Sequence, residues 1–150
     1  MTGVTRINGG WHTAASTGKG VKNEFTNFLP LLTQDEDGDV IFWIIAYNVA
    51  LDRWLWDANT SFIVLADGER FQSQEALIVN NDVGHADDMW GNTVFRQSEE
   101  YHLPMPLDYL ETFAAAGSAK VRIAHTDYDV PEAFIVEAAE ILATFKANQS

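Results

Sequence analysis

Large and small side chains alternate from Val40 to Trp56 (VIFWIIAYNVALDRWLW), the most apolar stretch of the chain. Ile41, Trp43, Ile45, Tyr47, Val49 and Leu51 hold the odd positions, while the even side shrinks through Ala46 to Asn48, Ala50 and Asp52. A period of two places each set on its own face of a β-strand, so the expectation is a central strand whose odd face is fully buried. Trp43, Tyr47, Leu51 and Trp54 also recur at helical spacing. The strand is preferred because β-branched and aromatic residues dominate the run.

Shorter patterns predict the other elements. Residues 1–22 are rich in Gly, Ser and Thr and read as a flexible or loosely packed arm, with Trp11 available to pin it to the body. Phe25, Phe28, Leu29 and Leu32 fall at helical spacing, which predicts a short helical segment over 23–32 that Pro30 keeps irregular. Residues 61–66 (SFIVLA) read as a strand, and Asp67-Gly68 supplies a tight turn that sends 69–73 back antiparallel with Phe71 inward. Residues 75–79 form another short apolar run, 80–92 (NNDVGHADDMWGN) a long exposed loop, and 93–103 a half-exposed alternating strand.

Pro106 opens a helix with Leu107, Leu110, Phe113 and Ala114 on one face and Gly117 as its C-terminal cap, and 119–124 returns as a strand with Val121 and Ile123 inward. Asp129 is expected to cap the last helix, whose apolar stripe is Phe134, Ile135, Ala138, Ile141, Leu142 and Phe145. The resulting class is α+β: a mostly antiparallel sheet of about five to seven strands with two C-terminal helices and the short N-terminal helical segment. Residues 23–150 form a single domain.

Charge narrows the choice of partners. Twenty-two Asp and Glu against nine Lys and Arg leave −13 in 150 residues, which repels nucleic-acid phosphates and anionic lipid. The acids are scattered, as expected of carboxylates that keep a protein soluble; an acidic mimic of DNA is a secondary reading. With no Cys, disulfides, thiolate metal sites and cysteine nucleophiles are excluded. Neither a secretory leader nor an apolar run of the ~20 residues needed to cross a bilayer is evident, so the expected location is cytoplasmic.

Motifs that carry chemistry are weak. Residues 16–20 (STGKG) lack the leading Gly and trailing Ser or Thr of a phosphate loop, and 34–39 (QDEDGD) lacks the first and twelfth ligands of a calcium loop. His85 with Asp87 and Asp88, and His125 with Asp127 and Asp129, gather imidazole and carboxylate closely enough to suggest a divalent metal. A metal-dependent hydrolase built on His85, Asp87, His125 and Asp127 is therefore the enzymatic alternative. Asp127 and Asp129 also have a plain structural use beside Pro131.

Trp90, an indole in a polar loop, is the more suggestive feature, because exposed Trp rings anchor partners; the other reading folds it over the sheet as a lid. The leading expectation is a non-enzymatic binding module without a cofactor. Its surface combines His85, Asp87, Asp88 and Trp90 with Arg96 and His102 from the following strand. It would recognise a protein, with a basic patch as the complement to the acidic chain, or a small molecule, or would self-associate through an edge strand.

Overall fold

The structure is a computed structural model that describes residues 5–16, 24–87 and 89–149. Among them, β1 (Thr5–Asn8), β2 (His12–Thr13), β4 (Glu24–Gln34), β5 (Val40–Leu51), β8 (Leu77–Asp87) and β9 (Thr93–Pro106) form one antiparallel sheet in the order β1-β4-β5-β9-β8, with β2 also on β4. The second sheet runs β3 (Ala15–Ser16), β11 (Thr126–Asp129), β10 (Ala119–Ile123), β6 (Phe62–Ala66), β7 (Glu69–Ser73). Helices α1 (Leu107–Ala114) and α2 (Glu132–Ala147) complete the described chain. The class is as expected, α+β with antiparallel sheets and two C-terminal helices. Among the described residues eleven strands replace the expected five to seven, because β1, β2 and β3 form in the N-terminal segment, β4 replaces a helix and β11 follows β10, while the 80–87 stretch lengthens the strand expected at 75–79.

The expected helix over 23–32 is instead the 11-residue strand β4, which pairs along its whole length with β5, from Glu24 opposite Ala50 to Gln34 opposite Val40. Pairing to a long apolar neighbour overrides the local spacing of four hydrophobic residues. Pro30 is tolerated inside this strand for a specific reason. Its carbonyl accepts the Gly9 amide at 2.9 Å, so its nitrogen faces the same side, where the outer edge breaks between β1 and β2. No ladder hydrogen bond is lost there.

The central segment is the strand that its alternation predicts, but its buried face is the opposite one. Phe42, Ile44, Ala46, Asn48 and Ala50 are fully buried, whereas Ile41, Trp43, Tyr47, Val49 and Leu51 are only partly covered. The inner face must admit the aromatic side chains of other elements, and small residues make that room. Phe113 of α1 meets Phe42 at 5.9 Å between ring centroids, and Phe134 of α2 meets Phe28 at 6.3 Å and Phe113 at 5.8 Å. Trp56 joins the two sheets, stacking edge-on against Tyr101 of β9 and donating its indole N–H to the Tyr128 hydroxyl of β11 at 3.2 Å. One hydrophobic cluster thus takes in both inner faces and both helices.

Local chemistry explains the element ends. Asp67 and Gly68 take φ of 48° and 87° and turn β6 into β7 as expected, with the Asp67 carboxylate also accepting the amides of Gly117 and Ser118. Gly117 is therefore not the cap of α1: Ala115 is, and Gly117 instead ties the turn after α1 to the β6–β7 hairpin. Asp129 does not cap α2 either, because it is the last residue of β11, paired with Lys120, and the helix is entered from Pro131 without a side-chain cap. The six stripe residues of α2 are all buried as expected. In the acidic turn, Asp35 accepts the amides of Asp37 and Asp39 at 2.9 Å each, a self-contained turn of the Asx kind.

The N-terminal segment is anchored by Glu137 of α2, whose carboxylate accepts the Gly10 amide at 2.6 Å and lies 3.0 Å from His12 Nε2. A Cβ on Gly9 would run into the Glu137 side chain, so a larger residue there would push the carboxylate out of this position. The His12 contact first, and the Gly10 amide after it, hold the Glu137 carboxyl below its ordinary range. Arg122 does the same for Asp127 through hydrogen bonds of 2.6 and 3.1 Å.

Both shifts are downward, so both groups stabilise the fold above the ordinary carboxylate pKa and lose that contribution as pH falls through their lower native values. Glu137→Gln should therefore lower the melting temperature at neutral pH, with the difference from the unaltered chain closing on acidification below about pH 4. Thermal melts across that range check the convergence.

Candidate functional site

A row of polar side chains crosses the inner face of the larger sheet. Thr26, Asn48 and Glu99 are directly opposite one another on β4, β5 and β9, and all three are buried. Thr26 donates to the Asn48 amide oxygen at 3.2 Å, and Asn48 donates to Glu99 at 3.3 Å. Glu99 is fully buried and also accepts the backbone amides of Leu55 (2.9 Å), Trp56 (3.2 Å to one oxygen, 3.3 Å to the other) and Asp57 (3.0 Å). A buried carboxylate survives only when its lone pairs are filled, and here the returning loop fills them.

That loop is costly on its own. Asp52, Asp57 and Ala58 all take positive φ, between 51° and 60°, a region unfavourable for residues with a Cβ. Beside the row, Tyr101 is fully buried, and burial first, then the negative charge of Glu99, push its hydroxyl up to about 12.

Past this row the sheet leaves the core. The expected 80–92 loop is a hairpin: β8 runs Leu77–Asp87, pairs with β9 from His102 to Thr93, and carries one irregularity between Ile78 and Asn80. Only the turn, with Met89, Trp90 and Gly91 (φ 81°), resembles the loop that the composition suggests. Polar and turn-forming residues mask the strand pattern because β8 is a sheet edge, where neither face is buried enough to impose apolar alternation.

β5 ends at Leu51, opposite Arg96, so the outer part of the hairpin has no β5 neighbour; Asp52 closes the junction by exchanging backbone and carboxylate hydrogen bonds with Phe95 at 2.8 Å. Leu77, Ile78, Val79 and Val83 on β8, Phe95 on β9, and Met89 and Trp90 in the turn are all exposed.

The six residues expected to bind separate into two groups, with one outside the described residues. His85 lies opposite Phe95 with its ring edge-on at 5.1 Å, and Asp87 pairs with Thr93 at the distal end of the same hairpin. Trp90 is 78% exposed in the turn, which removes the lid reading. Asp88 lies outside the described residues. Arg96 and His102 face the opposite side of the sheet, since they are in register with Leu51 and Ile45 on the outer face of β5. Six residues of strand put about 20 Å between them. His102 is occupied locally, 2.9 Å from Glu100 and edge-on to Trp43.

The metal candidates are likewise divided. His85 and Asp87 belong to the larger sheet, while His125 and Asp127 sit at the β10–β11 turn of the smaller one, with Asp127 engaged by Arg122. Among the described residues, no group of three or more His, Asp or Glu is placed to hold a metal ion.

Sequence reasoning placed Val83 and Met89 in an exposed loop and Phe95 on a half-exposed strand without naming them as part of the recognition surface, although the apolar residues at 77–79, 83 and 95 were there to be read as a two-stranded element. It also missed a second feature on the outer face of the smaller sheet. Ile63, Leu65, Arg70, Lys120 and Arg122 line a groove of about 230 Å³ there. The signal was alternation in 119–124 (AKVRIA), whose outward positions are both basic.

Comparison of the chain with protein-family models, curated proteins and solved structures finds no match to any of them.

The two features differ in what they ask of the fold. Trp90→Ala and Val83→Lys, both on the exposed hairpin, should change unfolding free energy by no more than about 0.5 kcal/mol. Glu99→Leu, which strands the amides of Leu55, Trp56 and Asp57, should cost about 3 kcal/mol. Urea unfolding of the three variants gives the comparison.

Proposed function

We propose that this protein is a non-enzymatic interaction module that recognises a protein partner through the β8–β9 hairpin. The observation that carries the reading is the exposure of apolar side chains along an edge strand and at its turn. Edge strands are ordinarily short, charged or covered, because their open backbone groups pair with other chains. β8 is 11 residues long, ends its sheet, and carries Leu77, Val79 and Val83 each more than half exposed. Met89, at 83%, and Trp90 add the aromatic and flexible apolar side chains common at the centres of interfaces.

The division of labour follows from the geometry. The backbone of β8 supplies strand-addition hydrogen bonds, and alternate side chains supply specificity. His85, Asp87 and Trp90 share the distal hairpin and belong to this surface; Arg96 and His102 lie on the other face of the sheet, where Leu77 is directly opposite His102, and contribute where the partner covers that face. The polar row at Thr26, Asn48 and Glu99 keeps the base of the hairpin rigid, so the arm is presented in one orientation.

A photo-crosslinking amino acid at Met89, compared with one at Glu36 in the acidic turn, tests this in cells of the source organism. Adducts with a second polypeptide should form from position 89 and not from 36, and should fall at least about tenfold when Val83→Lys is added. Equal adduct patterns from both positions would remove the hairpin as the recognition element.

A further inference from the structure

The groove on the smaller sheet has an ordered pattern of side chains. Arg70, Leu65, Lys120 and Asp129 are directly opposite one another across β7, β6, β10 and β11, and Gln72, Ile63, Arg122 and Asp127 form the next row. Along β6 runs an apolar strip of Ile63 and Leu65, with Leu65 39% exposed. Arg70 stands on one side of the strip, and Lys120 and Arg122 on the other. Three of the nine basic residues of a chain with net charge −13 thus surround one small apolar floor. Asp127, itself part of the groove wall, holds Arg122 at 2.6 Å, and Asp129 lies 3.7 Å from Lys120, so three cations against two carboxylates leave this patch a surplus of one positive charge.

Size and charge select the occupant. At about 230 Å³ the groove is below the roughly 300–1,000 Å³ of ordinary small-molecule sites, so it suits one large side chain rather than a whole ligand. An apolar floor between guanidinium and ammonium groups favours an aromatic ring, best an indole, carried by an acidic segment. The hairpin turn of this same protein has that character: Trp90 and Met89 are its most exposed apolar residues, with Asp87 beside them and Asp82 further down β8. No described hairpin residue lines the groove of its own chain, so a second copy is needed to bring the two together.

We infer that the protein self-assembles head to tail, the hairpin of one copy placing Trp90 in the groove formed by Ile63, Leu65, Arg70, Lys120 and Arg122 of the next. This rests on the reading of the hairpin as the recognition element and names its partner as a second copy of the chain. The two surfaces are different, so the contact is heterologous and every added copy leaves one hairpin and one groove open. Assembly therefore continues past the dimer unless the rotation closes a ring. The net charge of −13 on every copy opposes this, which makes the local cations indispensable.

Sedimentation velocity of the full chain over a concentration series tests the arrangement. The unaltered chain should grow beyond dimers as concentration rises. Trp90→Ala, which keeps the groove, and Leu65→Glu, which keeps the hairpin, should each weaken self-association at least about tenfold, with circular dichroism unchanged. Mixed together, the two variants should form a 1:1 pair and nothing larger, because only one productive contact remains between them.

A chain that stays monomeric throughout, assembly insensitive to both substitutions, or a mixture that gains no pair would each overturn the inference. If that occurs while the crosslinker at Met89 still yields adducts with a different protein, the hairpin remains a recognition element and only its partner was misassigned. If adducts and self-association are both missing, both readings fall.

Discussion

The carboxylate of Glu99 is the interaction on which the architecture turns. Without it, the 52–58 loop would have to hold three backbone positions of unfavourable φ with nothing to fill its amides, and Trp56 would lose the anchor that sets it between the sheets. Trp56 is in turn the piece that contacts both Tyr101 on one sheet and Tyr128 on the other. One buried charge therefore fixes a loop, the loop fixes an indole, and the indole fixes how two sheets share a core. Charge burial of this kind adds little net stability over an apolar replacement designed for the site, but it tolerates few alternative arrangements.

The same row of polar groups divides the larger sheet into two working halves. On the near side, Phe28, Ala46 and Tyr101 lie in register under the aromatic network. On the far side, Gln97 and Val83 are in register, and the strands run on into solvent. A sheet that continues beyond its own core needs its emerging strands held firmly at the exit. Thr26, Asn48 and Glu99 do that with hydrogen bonds, to one another and to the loop that covers them.

Much of the fold was legible because its signals are local or strongly periodic. The stripe of α2, the Asp67-Gly68 turn, the start of α1 at Pro106 and the strand character of β5 all depend on neighbours within a few residues. What could not be read depends on partners far along the chain. Whether the odd or even face of β5 is buried is set by Phe113 and Phe134, more than sixty residues away, and the larger side chains misled because they lie on the half-covered outer face.

Helical spacing at Phe25, Phe28, Leu29 and Leu32 was outweighed by pairing to β5. Composition hid β8, whose Asn, Asp and Gly content is what a strand without a buried face can tolerate. For the site, the polar surroundings of Trp90 left exposure and a lid over the sheet as equal alternatives, and only the extended hairpin decides for exposure. The separation of Arg96 and His102 from it could not follow without the register of β9, and the basic groove needed four strands to be assembled.

Pro30 and its facing gap have one more implication. Because Pro30 has no amide to offer, the outermost strand is split into β1 and β2, which hold β4 through separate pairings, Thr5–Asn8 against 31–34 and His12–Thr13 against 27–28. Only the second half lies next to the Glu137 anchor on α2. The two pairings meet at Gly9, so either can open without breaking the hydrogen bonds of the other to β4.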